Sequence, residues 1–264
     1  MNCIEQKIMV PGGRVLKAEV MPDGGCLLTV ELNTAGDTTC CLQEDIFKLV
    51  PASKLSPEDD FMKHQPKTNA ERELKELIET AIRRGLKDFW CPRYDPAFND
   101  AGTGICYVPG KKPAVDKSYN WWAKTAKEFK PEQGSRLGTK TEYIAFLAVL
   151  IKELVNSGKS VEWAWNAVCN DSKELGHYAN SDNAKNVLKE TGSRGVVGWY
   201  DLANTCKILA EEEDFGVFWF AGGNYFLSSI NFSLAKVYHY NNCREDNIDS
   251  VGWIVLEAGR TDRW

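Results

Sequence analysis

The sequence predicts an α+β protein, a small N-terminal β-module followed by a larger mixed domain, and three features of the 264-residue chain carry that expectation. Thr68 with Glu71 and Thr139 with Glu142 have the spacing of reciprocal helix caps, and each pair stands just before an apolar periodic run. Residues before about position 55 alternate apolar and polar instead, around turn residues. Beyond Gly158 the apolar residues fall in short pieces separated by polar loops.

The β-module reads from Val15, Leu16, Ala18 and Val20, through the turn Pro22-Asp23-Gly24-Gly25, to Leu27, Leu28, Val30 and Leu32. Residues 51 to 66 are polar and hold three prolines, which predicts a linker and places the domain boundary between 66 and 67. The domains are therefore 1–66 and 67–264. In the second, Leu74, Leu77, Ile78, Ala81 and Ile82 share one helical face and Gly85 ends the run. Residues 89 to 113, rich in proline and aromatics, predict an ordered irregular segment. A second helix is expected from about Lys117 to Phe129. A third starts at Thr139 and ends before Gly158, buried on most sides because its apolar residues surround the axis. Residues 160–168, 196–200, 216–221 and 251–256 read as short strands and turns.

Composition narrows the function. A net charge of −5 opposes sequence-independent nucleic-acid binding, since nothing concentrates the Lys and Arg that would displace phosphate counterions. The longest apolar run, Tyr143 to Ile151, is far shorter than the roughly 20 residues of a membrane span. The N-terminus lacks the charged-then-apolar pattern of a secretory signal, so the protein is expected in the cytoplasm as synthesised. Nine cysteines without a C-x-x-C pair read as buried thiols, and Cys169 with His177 lacks the second pair that tetrahedral zinc needs. Glu162 beside Trp163 and Trp165, the run Glu211-Glu212-Glu213-Asp214, and the Asx-rich stretches at 170–172 and 180–183 read as exposed acids and turns. No metal and no cofactor is assigned.

Four segments then stand in a telling order. Gly134-Ser135-Arg136-Leu137-Gly138-Thr139-Lys140-Thr141-Glu142-Tyr143 resembles the R-L-P-T-E-x-E-W signature of the formylglycine-generating, sulfatase-modifying family. Gly198-Trp199-Tyr200-Asp201-Leu202-Ala203-Asn204 is similar to its G-L-Y-D-M-x-G-N, Phe220-Ala221-Gly222-Gly223-Asn224-Tyr225 to its L-R-G-G-S-W, and Ser250-Val251-Gly252-Trp253 to its terminal x-x-G-F-R. The resemblance spans roughly residues 120 to 256 and implies that family's C-type-lectin-like fold. Gly138 replaces the usual Pro, the Asp201 turn is one residue shorter, and Trp253-Ile254 stands for Phe-Arg. The family's catalytic members carry a copper-binding cysteine pair after the third segment, where this chain has none, so the resemblance implies no oxidase activity.

The chain is also similar to the variable proteins of diversity-generating retroelements, which rewrite a C-terminal loop region on the same scaffold by adenine-directed mutagenesis. An AAY asparagine codon so mutated never yields Lys, Glu, Gln, Met or Trp, and between Asn224 and Ser250 only Lys236 and Glu245 fall among those types. Tyr and Phe there supply rigid contact area while Ser and Asn supply adaptable hydrogen bonds. The expected ligand-contacting residues are Tyr225, Phe226, Leu227, Ser228, Ile230, Asn231, Phe232, Tyr238, His239, Tyr240, Asn241, Asn242, Asp246, Asn247, Ile248 and Asp249, with Ser233-Leu234-Ala235 and Val251-Gly252-Trp253 as fixed framework. The expected function is non-catalytic binding of a protein or cell-surface ligand, with the N-terminal module attaching the domain to a phage particle or other assembly. A divergent enzyme of the formylglycine-generating superfamily and a fixed phage structural protein are the alternatives.

Overall fold

The computed structural model describes residues 13–20, 26–32, 46–176, 188–192, 194–200, 202, 204–210, 218–223, 233–240 and 250–259. The chain divides into two compact units, residues 1–43 and 44–264. In the first, β1 (Gly13–Val20) pairs antiparallel with β2 (Cys26–Leu32), and its register shifts between Val15 and Lys17.

The second unit is mixed α+β, with four α-helices among its described residues and several small sheets. The boundary falls at 43/44 and not at 66, because the proline-punctuated segment packs. Within it β3 (Phe47–Val50) pairs with β4 (Phe89–Pro92). Phe61 and Met62 are buried, and the Phe61 carbonyl accepts a hydrogen bond from Trp165 Nε1 at 2.9 Å. Prolines here shape a surface strap whose apolar side chains face inward.

Helix α1 (Asn69–Arg84) starts where Thr68 accepts the Glu71 amide at 3.2 Å, but the cap is not reciprocal. The Glu71 carboxylate takes the Lys67 amide at 2.6 Å, and also bonds buried His64 (3.1 Å) and Asn170 (2.7 Å). Helix α2 (Tyr119–Phe129) is capped by Ser118. Helix α3 (Lys140–Asn156) carries the full capping box of Thr139 and Glu142 and buries residues from every side, as its sequence predicts. Helix α4 (Val161–Cys169) corrects the expectation of a strand at 160–168: Ser160 Oγ caps the Trp163 amide at 3.1 Å, and Ala164, Trp165, Ala167 and Val168 face the core. Its exposed Glu162 is an ordinary first-turn acid. No helix among the described residues is long and apolar enough to cross a membrane.

Two four-stranded sheets flank these helices. The first has the order β3-β4-β14-β7, with β7 (Arg136–Leu137) and β14 (Ile254–Glu257); the second has the order β12-β11-β10-β13, with β10 (Cys206–Ile208), β11 (Phe218–Ala221), β12 (Val237–Tyr240) and β13 (Ser250–Gly252). Strands β10 and β13 are parallel, and the other pairs in these sheets are antiparallel. Hairpins β5–β6 (Ala97–Phe98, Ile105–Cys106) and β8–β9 (Gly195–Val196, Trp199–Tyr200) complete the unit.

Trp253 is the single residue between β13 and β14, so the chain changes sheet at its indole. Its amide donates to Ile208 O at 3.0 Å in one sheet, and its carbonyl accepts from Gly138 at 2.8 Å beside the other. The ring meets Phe89, Tyr143 and Phe146 at centroid distances of 5.3 to 6.0 Å. A Cβ on Gly138 would lie 2.4 Å from two carbons of that ring, and one on Gly252 would lie 2.6 Å from Trp122. The missing side chain at 138 and the indole at 253 are thus matched in volume, one exchanged for the other.

Arg136 grips Glu142 with both guanidinium nitrogens, at 2.8 and 2.6 Å, which ties β7 to the first turn of α3. Burial raises the Glu142 carboxyl, but Arg136 and the Thr139 amide and hydroxyl outweigh it and hold the group below the usual carboxylate value. A lowered folded-state pKa contributes stability above the unfolded value, about 4.3, and loses it as pH falls through the folded value. Glu142→Gln is expected to cost about 1–3 kcal/mol at pH 7 in urea unfolding, with the gap to wild type closing below about pH 4. Gly138→Ala is expected to cost about 1–3 kcal/mol through overpacking. In a double-mutant cycle Trp253→Phe recovers part of that loss; strict additivity would refute the matched exchange.

Candidate ligand-binding face

The second sheet positions both segments that the sequence nominates. Residues 224–232 leave β11 and rejoin the same strand pair, since Ala221 is in register with Val237 and the Gly222 amide donates to Lys236 O at 2.9 Å. Residues 241–249 leave β12 at one edge of the sheet and enter β13 at the other. The nominated residues in 225–232 and 241–249 lie outside the described residues. Tyr238, His239 and Tyr240 fall on β12, and of their side chains that of Tyr238 is described.

Tyr238 is half-buried. It stacks on Phe220 at 5.7 Å, and its hydroxyl lies 3.1 Å from Cys206 Sγ on β10. Its ring therefore contributes to the sheet as well as to whatever lies beyond it.

The framework piece at 233–235 is held more firmly than its sequence indicates. Ser233 Oγ donates to Cys169 O at 2.7 Å, the Leu234 amide to Ser172 Oγ at 2.9 Å, the Ala235 amide to Val168 O at 3.0 Å, and Tyr143 Oη to Leu234 O at 3.0 Å. Leu234 is fully buried. Within the nominated window, then, a short internal stretch is pinned to α3, α4 and the turn after it.

Three polar arrangements, the first of them buried, brace the unit. Lys207 on β10 donates to Asp95 and to the carbonyl and hydroxyl of Thr205, both at 3.0 Å, while Thr205 donates to Asp95 at 2.7 Å. All three ammonium protons have acceptors, so this pair is a brace and not a reactive amine. Lys48 bonds Glu153 at 2.6 Å and Val197 O at 2.7 Å and lies over the Trp199 ring, whose Nε1 also donates to Glu153 at 3.1 Å. Asn204 bonds both the amide and the carbonyl of Lys189. Sequence reasoning nominated none of these partners, because each pair joins residues far apart in the chain. Tyr94 and Tyr200 stack at 4.7 Å beside a cavity of about 20 Å³ that Asp95, Lys207 and Trp253 line, room for about one water.

Cys91, Cys106, Cys169 and Cys206 are all buried, and burial pushes the Cys91 and Cys169 thiols well above their ordinary value. Among the described residues no three His, Cys, Asp or Glu side chains cluster as a metal site.

Fold and site together define an α+β protein whose second sheet anchors two polar-aromatic segments at both ends. No family model and no curated protein matches the chain. Among solved structures it is similar to PvdO from Pseudomonas aeruginosa, at 16% identity and a TM-score of 0.44, over 64% of this chain and 80% of that one.

The anchor at 233–235 has a direct test. Ser233→Ala and Tyr143→Phe are each expected to lower stability by about 0.5–2 kcal/mol in urea unfolding, because each change removes one hydrogen bond from a buried carbonyl. Fully retained stability in both would show that the stretch is not pinned.

Proposed function

We propose that the protein is a non-catalytic binding protein of the diversity-generating-retroelement type, built on a C-type-lectin-like scaffold akin to the formylglycine-generating family. Its ligand face is formed by residues 225–232 and 238–249, and its ligand is a protein or other cell-surface molecule. The observation that carries this reading is the contrast within one window: all residues of 224–250 but Lys236 and Glu245 are of rewritable types, yet both nominated segments connect strands of the second sheet. A scaffold that tolerates rewriting needs such fixed ends, since a loop whose termini are held by backbone pairing changes side chains without changing strand register.

The four family-like segments support the same reading by their packing. Arg136 and Glu142, Trp199, Gly222, and Gly252 with Trp253 all meet α3 or its flanking strands. The cysteine pair that binds copper in that family has no counterpart at the matching place: residues 224–232 hold no cysteine, and burial raises the Cys91 and Cys169 thiols above their ordinary value, which disfavours the thiolate form that copper takes. The first unit, a β-hairpin with its flanking residues, serves in this reading as the attachment to a phage particle or other assembly.

The test is genetic. Sequencing the gene across a population is expected to show substitutions confined to adenines of the codons for 224–250, beside a near-identical template repeat and a reverse-transcriptase gene. A locus with none of these three features overturns the proposal. Oxygen consumption by the copper-loaded protein is expected to stay at the buffer rate, and turnover of a thiol substrate would favour the enzyme alternative.

A further inference from the structure

A groove with a volume of about 440 Å³ opens between the first half of α1, the start of α3 and residues 233–237. Leu74, Leu77, Ala235 and Val237 give it an apolar lining. Leu77 is 39% exposed, the one large hydrophobic side chain open to solvent among the described residues. An apolar surface held open over a space of ligand size is a cost to the folded state that an apolar guest would relieve.

The charge around the groove runs against that of the whole protein. Among the described residues, Lys140 and Lys236 line it against a single carboxylate, Glu73, while the chain carries a net charge of −5. Lys140 Nζ is held 3.8 Å above the Trp219 ring, which fixes its position without neutralising it. Lys236 is exposed, and its ammonium makes no hydrogen bond or ion pair with a described residue. Lys236 is also one of the two residues between 224 and 250 that adenine mutagenesis of an asparagine codon cannot produce, and its backbone is pinned by Gly222 and Ser233. The Lys236 ammonium thus extends from a backbone of settled position.

We propose that this groove binds an amphipathic carboxylate, a small molecule whose aliphatic or aromatic body lies on Leu77, Ala235 and Val237 and whose single negative headgroup is held by Lys236 and Lys140. None of the lining residues belongs to the nominated contact set, so this site stands or falls separately from the recognition face. Leu77 and Lys236 are exposed, so variants at both keep the fold, which circular dichroism verifies.

Isothermal titration of the full chain with monomeric dodecanoate, below its micellar concentration, is expected to show one saturable site. Lys236→Glu should weaken it about tenfold, the size of losing one partly desolvated charge contact. Leu77→Ala should weaken it severalfold, and Lys112→Glu, an exposed change outside the groove, should leave it unchanged. Equal affinity for dodecyltrimethylammonium overturns the proposal, as do an affinity indifferent to both Lys236→Glu and Leu77→Ala, or the absence of saturable heat.

Discussion

The indole of Trp253 is the constraint on which the second unit depends. Trp253 lies where the chain passes from one four-stranded sheet to the other, and its backbone amide and carbonyl make a hydrogen bond to each side while its ring packs against Tyr143 and Phe146 of α3. A residue placed at such a crossing cannot move without shifting two sheets, because close-packed interiors relax only partly. Gly138 and Gly252 follow from it and from Trp122, since both are places where a ring lies where a Cβ would stand. The Arg136–Glu142 grip then aligns the start of α3 with the strand that Trp253 touches.

Helices with a strong local cap were legible in the sequence. Thr139 and Glu142 behave as their spacing indicates, and the apolar residues all around α3 announced its burial. Helix α4 was not legible: nine residues beginning Val-Glu-Trp-Ala-Trp give a short run rich in types that favour strands, and the decisive features are Ser160 as a cap and burial against α1 and α3. The boundary at 66 failed for a related reason. Prolines mark where a chain turns, and they say nothing about whether Phe61 and Met62 reach a core contributed by Trp165 a hundred residues later.

The site was legible as composition and order, and much less as geometry. Residue types in 224–250 pointed to recognition, and the β11–β12–β13 connections give those segments common ground. The polar braces were invisible because Asp95 and Lys207, or Lys48 and Glu153, have no local pattern; only the folded chain brings them within hydrogen-bond distance. Ser233 likewise looks like any loop serine until Cys169 O is found beside it.

Tyr238 stands on both sides of the division between scaffold and surface. Its ring rests on Phe220 and its hydroxyl on Cys206, in the middle of the sheet that carries everything nominated for contact. A change at this codon therefore alters the platform together with whatever the platform displays. If β12 is rewritten as proposed, each member of the repertoire is sorted first by whether it folds, and the diversity that meets a target is the remainder left by that earlier sieve.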